Sequence, residues 1–170
     1  MPFPRLAAAL PFALSLAACA TPAQQAESSG PSDDSVAITV AQGPCFGTCP
    51  VYEARLTDKG ELTFDGKRFT AQGGVQAAVR PPESFTALRQ YLAPYRPAVG
   101  TTVRTREGAG CAPMVTDMVA ITVTWEGVDG RRTVLDHYTG CRSAEATATS
   151  EALRQVPEWM GITEWVKRPE

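Results

Sequence analysis

The sequence predicts an α+β fold, in which an antiparallel sheet of about five to six strands carries one or two helices on one face. Segments that alternate apolar and polar residues, as half-buried strands do, come in hairpin-like groups. Only two segments have the spacing of an amphipathic helix, and each follows such a group. Grouped strands with short turns favour an antiparallel sheet with segregated helices over a parallel sheet in which strands and helices alternate.

Four segments in the first half of the domain have the composition of strands. Turn residues separate them: Asp58-Lys59-Gly60 predicts a hairpin turn, and Asp65-Gly66 predicts a second turn. The predicted strands are residues 36–42, 51–57, 61–64 and 75–79.

One helix is predicted between the two groups of strands. Pro81-Pro82-Glu83 suits the first turn of a helix, because a proline there has no hydrogen bond to lose. Apolar residues then recur at helical spacing, at Phe85, Leu88 and Leu92, and Pro94 ends the helix.

The second half of the domain contains the clearest strand. Residues 119–125 alternate apolar side chains with alanine and threonine, and residues 127–130 turn the chain into a return strand over residues 131–138. A second helix is predicted over residues 149–156, and Pro157 is expected to break it. The apolar residues beyond this point are expected to pack the C-terminal tail against the core; they are Trp159, Ile162, Trp165 and Val166.

The composition is that of a globular protein and argues against one class of partner. Apolar residues make up 44% of the chain and charged residues 20%, both close to globular averages. The formal net charge is −2, and basic residues cluster only in short pairs such as Arg131 and Arg132. Nucleic-acid binding needs a concentrated basic face, so no nucleic-acid partner is expected.

Residues 1–18 have the layout of a bacterial export signal. A single positive charge at Arg5 precedes a short apolar run, and small residues stand before Cys19. The run is too short to span a bilayer, which takes about 20 residues. The sequence Leu16-Ala17-Ala18-Cys19 resembles the lipobox of bacterial lipoproteins. That resemblance implies a lipoprotein signal peptide over residues 1–18, acylation of Cys19, and the membrane as a partner through this lipid.

The residues after Cys19 bear on where the domain is held. Ala20 stands where an aspartate would resemble an inner-membrane retention signal, so the expected location is the outer membrane of the bacterial envelope, facing the periplasm. Residues 19–35 comprise the lipidated cysteine and a tether rich in polar residues, predicted to be disordered. Residues 36–168 then form a single domain. A conventional signal peptide cut near Ala18 or Ala20, which would leave a secreted protein, is the alternative.

Four cysteines remain for the domain, and an oxidising compartment favours two disulfides among them. Cys111 precedes the predicted C-terminal hairpin and Cys141 follows it, so a bridge between them would close the open end of that hairpin. Loop-closure entropy gives such a bridge about 3.7 kcal/mol, and a bridge between Cys45 and Cys49 about 2 kcal/mol. The favoured pairing is therefore Cys45–Cys49 with Cys111–Cys141, and a crossed arrangement is the alternative.

The octapeptide Cys-Phe-Gly-Thr-Cys-Pro-Val-Tyr at residues 45–52 is the most specific motif in the chain. With the hairpin residues 62–69 behind it, it resembles a bacterial domain family of unknown function that carries a C-F-G-x-C-P-x-Y signature. The likeness extends to Thr116-Asp117 and to residues 163–166, and so covers most of residues 36–167. It implies an α+β domain with these boundaries, and it brings no activity with it.

The same motif has chemical potential of its own. Two thiolates at the spacing of Cys45 and Cys49 can bind a soft metal such as Cu(I), or exchange with other thiols. The motif also resembles the C-x-x-x-C-P of Sco-type copper chaperones, whose third ligand is a distant histidine, and His137 is the one histidine here. Those chaperones have a helix after the motif, whereas residues 51–64 predict a hairpin. A structural disulfide is the favoured interpretation, and copper held by Cys45, Cys49 and His137 is the alternative.

No catalytic constellation is predicted. His137 adjoins Asp136, but neighbours in a strand point to opposite faces, so this carboxylate is not expected to orient the imidazole. The sequence therefore favours a non-enzymatic envelope lipoprotein without a cofactor, whose domain binds another envelope protein or stabilises a complex. The alternative is a thiol-redox or Cu(I)-handling protein that acts through Cys45 and Cys49.

Overall fold

The computed structural model describes residues 34–167, which contain seven strands and three α-helices. The strands are β1 (Ser35–Gln42), β2 (Val51–Thr57), β3 (Glu61–Arg68), β4 (Gly74–Val79), β5 (Thr102–Arg104), β6 (Ala120–Gly127) and β7 (Arg132–Tyr138). The helices are α1 (Pro82–Leu92), α2 (Ala144–Trp159) and α3 (Thr163–Val166). None of the helices in this part of the chain is long and apolar enough to cross a membrane. The expected signal peptide, Cys19 and residues 20–33 of the expected tether lie outside the described residues. Ser35, which is also predicted to belong to the tether, is instead the first residue of β1.

The strands form one sheet in the order β4-β3-β2-β1-β6-β7-β5. Every neighbouring pair is antiparallel except β5 and β7, which are parallel. The predicted α+β class is confirmed, but the predicted five to six strands and one or two helices are too few. The strand missing from the prediction is β5, whose three residues are all exposed and too few to show an alternating pattern.

The hydrophobic core lies between the helices and one face of the sheet. Ile38 of β1 stands opposite Leu56 of β2 on one side and Trp125 of β6 on the other. All three are fully buried and share a core with Leu88 of α1 and Leu153 of α2. Burying one side chain of this size stabilises the fold by about 1.5–3 kcal/mol. The alternating pattern therefore decides which face of the sheet the helices cover.

The opposite face of the sheet is polar. Thr39 of β1 lies between Arg55 of β2 and Thr124 of β6 in the register, and all three are only partly buried. The guanidinium of Arg55 forms an ion pair with Glu126, with Nη1 and Oε2 3.0 Å apart. No helix is needed on a face of this composition, which is why the architecture has two layers.

The turn predicted at Asp65-Gly66 is wrong, because β3 continues through these residues to Arg68. A Cβ at residue 66 would lie 2.0 Å from the carbonyl oxygen of Gln72. Glycine is therefore required for a close approach of two chain segments rather than for a turn. The chain turns later, at Phe69, whose φ is 58°.

The second helix differs from its predicted bounds at both ends. It begins at Ala144 rather than at residue 149, and the Oγ of Ser143 caps it by accepting from the amide of Ala146 at 3.2 Å. Its first turns are rich in alanine and threonine, which show no apolar periodicity. Pro157 lies inside the helix, so the predicted break is wrong. This proline stands in the last turn, where the helix ends two residues later and little remains to be disrupted.

Candidate functional site

Both disulfides lie at the same end of the sheet. Cys45–Cys49 closes the connection from β1 to β2, with Cα atoms 5.8 Å apart. Cys111–Cys141 joins the loop before β6 to the residues after β7, with Cα atoms 4.4 Å apart. The register places Gln42, the last residue of β1, opposite Ile121 near the start of β6. The pairing is the one that the sequence favoured over a crossed arrangement.

The ring formed by residues 45–49 holds an aromatic side chain outward. Phe46 is 90% exposed, which is unusual for a side chain of this size. Its amide donates to the carbonyl oxygen of Asp117 at 3.1 Å, and the Gln42 side chain donates to the carbonyl oxygen of Pro50 at 2.8 Å. The disulfide and these two bonds fix the backbone beneath the phenyl ring.

A second loop, residues 112–117, lies beside the ring and is also anchored. The Val115 amide donates to the carbonyl oxygen of Gly140 at 2.8 Å, and the Arg142 amide donates to that of Pro113 at 2.9 Å. Met114 and Val115 are each 45% exposed. The Phe46 amide bonds to Asp117, so this loop and the ring are neighbours. We call the exposed residues Phe46, Met114 and Val115 the disulfide-end surface.

A groove of about 670 Å³ begins where the ring ends. Pro50 and Tyr52 line its sheet side, and burial raises the pKa of the Tyr52 hydroxyl above its ordinary value. Its helix side carries three exposed charged residues, which are Arg154, Glu158 and Lys167. Two cations against one carboxylate suit a ligand group that bears a negative charge.

His137 lies fully buried in β7, and its Nε2 is 2.7 Å from the Oγ of Ser150 in α2. Burial lowers the pKa of the imidazole, so the ring is neutral at pH 7. Residues 34–167 hold no group of three or more His, Cys, Asp or Glu side chains placed to bind a metal ion. The structure thus does not gather His137 with Cys45 and Cys49, and the two cysteines are joined as a disulfide rather than present as thiolates.

The family of the chain is shown by its sequence. Residues 36–157 match a family described as a domain of unknown function, DUF6438. The chain belongs to this family. No curated protein and no solved structure gives a significant match.

The DUF6438 match runs from β1 into the last turn of α2. It contains both disulfides, so the disulfide-end surface belongs wholly to the DUF6438 domain. Pro50 and Tyr52 of the groove lie within it as well. Lys167 and the short helix α3 lie beyond the match, so the groove is completed by residues outside the matched region.

Sequence reasoning located the ring but not the surface around it. The periodicity of apolar residues predicts which side chains of a strand or helix are buried. It does not predict the direction of a side chain in a loop, such as that of Phe46. Met114 and Val115 are adjacent apolar residues outside any strand or helix pattern, and this was the available signal for an exposed patch. No feature of the sequence marks Arg154 and Lys167 as part of a groove, because isolated cationic residues are common on any protein surface.

Proposed function

We propose that this chain is a bacterial envelope lipoprotein, anchored to the outer membrane through acylated Cys19, and that its DUF6438 domain binds another envelope protein without catalysing a reaction. The sequence Leu16-Ala17-Ala18-Cys19 supports the anchor. A flexible tether of the length of residues 20–34 has a root-mean-square reach of roughly 19–23 Å, which would hold the domain clear of the lipid headgroups.

The exposure of Phe46 on a cross-linked ring carries the binding proposal. Aromatic side chains that fill a pocket of the partner supply much of the energy of protein interfaces. Ordering a loop on binding opposes association, and the Cys45–Cys49 disulfide removes much of that loss in advance. The partner that fits is a protein with an apolar pocket for the phenyl ring, with Met114 and Val115 against its rim.

The course of β1 supports the same assignment. The chain enters the domain at Ser35, which pairs with Gly127, and it leaves β1 at Gln42, which pairs with Ile121 at the other end of β6. Eight strand residues span about 25 Å. The disulfide-end surface therefore lies at the opposite end of β1 from Ser35, the end at which the proposed tether would join the domain.

The groove would extend the contact beyond Phe46. Its floor of Pro50 and Tyr52 is largely apolar, and Arg154 and Lys167 stand exposed at its rim. A segment of the partner that carries apolar side chains and a carboxylate matches this lining.

Cys19→Ser is expected to abolish acylation of the chain. The sulfur of Cys19 is the atom that would carry the lipid. A serine hydroxyl does not replace it in this modification. The measurement is incorporation of a labelled fatty acid in cells, followed by isolation of the protein. Cys49→Ser is the matched control, because it removes one cysteine of the ring disulfide and leaves Cys19 in place. Label that persists in Cys19→Ser, or is absent from the unaltered chain, would overturn the proposed anchor.

A photo-crosslinking phenylalanine analogue at position 46 is expected to capture one envelope protein in living cells. The control position is Val128, which is 71% exposed but lies in the β6–β7 turn at the other end of the sheet. Once the captured protein is identified and purified, Phe46→Ala should weaken its binding at least about tenfold, since truncating an aromatic anchor removes about 1.4 kcal/mol or more.

Val128→Ala should leave that affinity unchanged. Equal capture from positions 46 and 128, or an affinity that Phe46→Ala does not alter, would show that the disulfide-end surface is not the binding site.

A further inference from the structure

The two edges of the sheet are built differently. The edge strand β5 has three residues, and so offers little backbone to a pairing strand. The other edge strand, β4, has six residues of sequence Gly-Val-Gln-Ala-Ala-Val, with no charge and no proline. Natural sheets usually protect long edges with charged residues, prolines or bulges, because an open edge pairs with other strands. Strand β4 has none of these.

The ladder between β3 and β4 shows which backbone groups of β4 face outward. The Arg80 amide donates to the carbonyl oxygen of Gly60 at 2.8 Å, one step beyond the pair of Glu61 and Val79. Hydrogen-bonded and non-hydrogen-bonded pairs alternate in an antiparallel ladder. Residues 76 and 78 therefore bond to β3, and residues 75, 77 and 79 direct their N–H and C=O groups away from the sheet.

The side chains of these outward-bonding residues form an apolar stripe. Val75 is 73% exposed and Val79 is 81% exposed, with Ala77 exposed between them on the face of the sheet away from the helices. Within residues 34–167, backbone groups without a pairing strand and an apolar stripe thus occur on the same three residues.

We infer that β4 pairs with β4 of a second copy of this chain, antiparallel, with Ala77 opposite its own equivalent. In this register Val75 of one copy stands opposite Val79 of the other. Residues 75, 77 and 79 of both copies then all occupy hydrogen-bonded positions, which gives about six new backbone hydrogen bonds. The arrangement is a two-fold symmetric, self-complementary contact.

The charges around β4 favour a second copy as the occupant. No charged side chain lies between Gly74 and Val79, so two identical strands meet without like-charge repulsion. The first cation beyond the strand, Arg80, donates its Nη2 to the carbonyl oxygen of Gly161 and lies over the ring of Trp165. Its charge is thereby held against its own chain rather than at the edge.

The contact is small for an interface. One six-residue strand buries less than the ~1,200–2,000 Å² of stable protein–protein interfaces, so pairing is expected to be concentration-dependent. The β4–β4 contact uses residues other than those of the disulfide-end surface. A test of this contact is therefore independent of the proposal that the disulfide-end surface binds a partner.

A single cysteine at position 77 tests the register. Paired residues at a hydrogen-bonded position have Cα atoms about 5.5 Å apart, within the range of a disulfide. In the full chain, purified in detergent and oxidised, Ala77→Cys should form a covalent dimer whose peptide map contains a link between two copies of residue 77. The matched control is Thr63→Cys, which lies beside Ala77 on β3 and is exposed on the same face.

In the proposed dimer the two copies of residue 63 are about 14 Å apart, three strand spacings, and cannot be bridged. The yield from Ala77→Cys should exceed that from Thr63→Cys at least tenfold. Adding Val75→Lys and Val79→Lys to Ala77→Cys places lysines opposite one another and should reduce the yield to that of the control. Equal yields from positions 77 and 63, or an Ala77→Cys chain that stays monomeric at high concentration, would overturn the inference.

Discussion

Replacing both Cys111 and Cys141 by serine is expected to lower the free energy of unfolding by at least about 4 kcal/mol. The bridge closes a loop with a sequence separation of 30 residues that contains the whole β6–β7 hairpin. Opening it restores about 3.7 kcal/mol of loop-closure entropy to the unfolded chain. Both cysteines are buried, at 5% and 1% exposure, so the serine hydroxyls add the cost of placing polar groups in the core. Equilibrium urea unfolding, followed by the fluorescence of the three tryptophans, of which Trp125 is fully buried, measures the loss.

The Cys45→Ser, Cys49→Ser double variant is the control for this measurement. Its bridge spans a sequence separation of only 4, and loop closure gives it about 2 kcal/mol. Both of its cysteines are partly exposed, so little is added for burial. A larger loss of stability from opening Cys45–Cys49 than from opening Cys111–Cys141 would contradict this ranking. If the two losses rank as expected, the Cys45–Cys49 disulfide contributes little to the stability of the domain. Its main effect is then to hold the backbone of Phe46 in one conformation.

Gly60→Ala is expected to lower the free energy of unfolding by about 2–5 kcal/mol, through two separate effects. Gly60 closes the β2–β3 turn with a φ of 81°, a left-handed conformation that costs an L-residue about 1–2 kcal/mol. A Cβ at this position would also lie 1.9 Å from the carbonyl oxygen of Arg80. The backbone that follows β4 must then shift, and overpacking of this kind adds about 1–3 kcal/mol.

Gly130→Ala separates the two effects. Gly130 closes the β6–β7 turn with a φ of 77°, and nothing lies within 4 Å of the position its Cβ would take. Its substitution should therefore cost only the conformational term of about 1–2 kcal/mol. Urea unfolding of both variants gives the difference directly. Equal losses would show that the chain around Arg80 yields without resistance and that the collision does not determine stability.

The sequence predicts most of the central sheet, because its strands bury one face and expose the other. β1, β2 and β6 all show the alternation that places Ile38, Leu56 and Trp125 in the core. Elements determined by distant contacts were not predictable in this way. β5 is a strand only because residues 102–104 pair in parallel with residues 134–136, and no local pattern reports such a contact.

The candidate site likewise has features that the sequence predicts and features that it does not. The disulfide pairing could be predicted, because it depends on the order of the cysteines around a recognisable hairpin. The contact between the ring and the 112–117 loop could not be predicted, because it depends on the hydrogen bond from the amide of Phe46 to the carbonyl oxygen of Asp117. Asp117 itself adopts a positive φ of 64°, which shapes the loop and leaves no mark on residue periodicity. The groove was missed because its walls come from segments about 100 residues apart in the chain, at Tyr52 and Arg154.

The position of β1 has a mechanical consequence. From Ala37 to Gln42 this strand is paired on both sides, with β2 and with β6. Under the proposed anchoring, the membrane would pull at the Ser35 end and a bound partner at the ring that follows Gln42. Tension would then run along β1 and load the hydrogen bonds of both ladders together, in shear, instead of peeling them apart one after another. Under that load the domain would resist extraction for as long as its rate of unfolding allows, and it would act as a force-bearing link between the membrane and a bound partner.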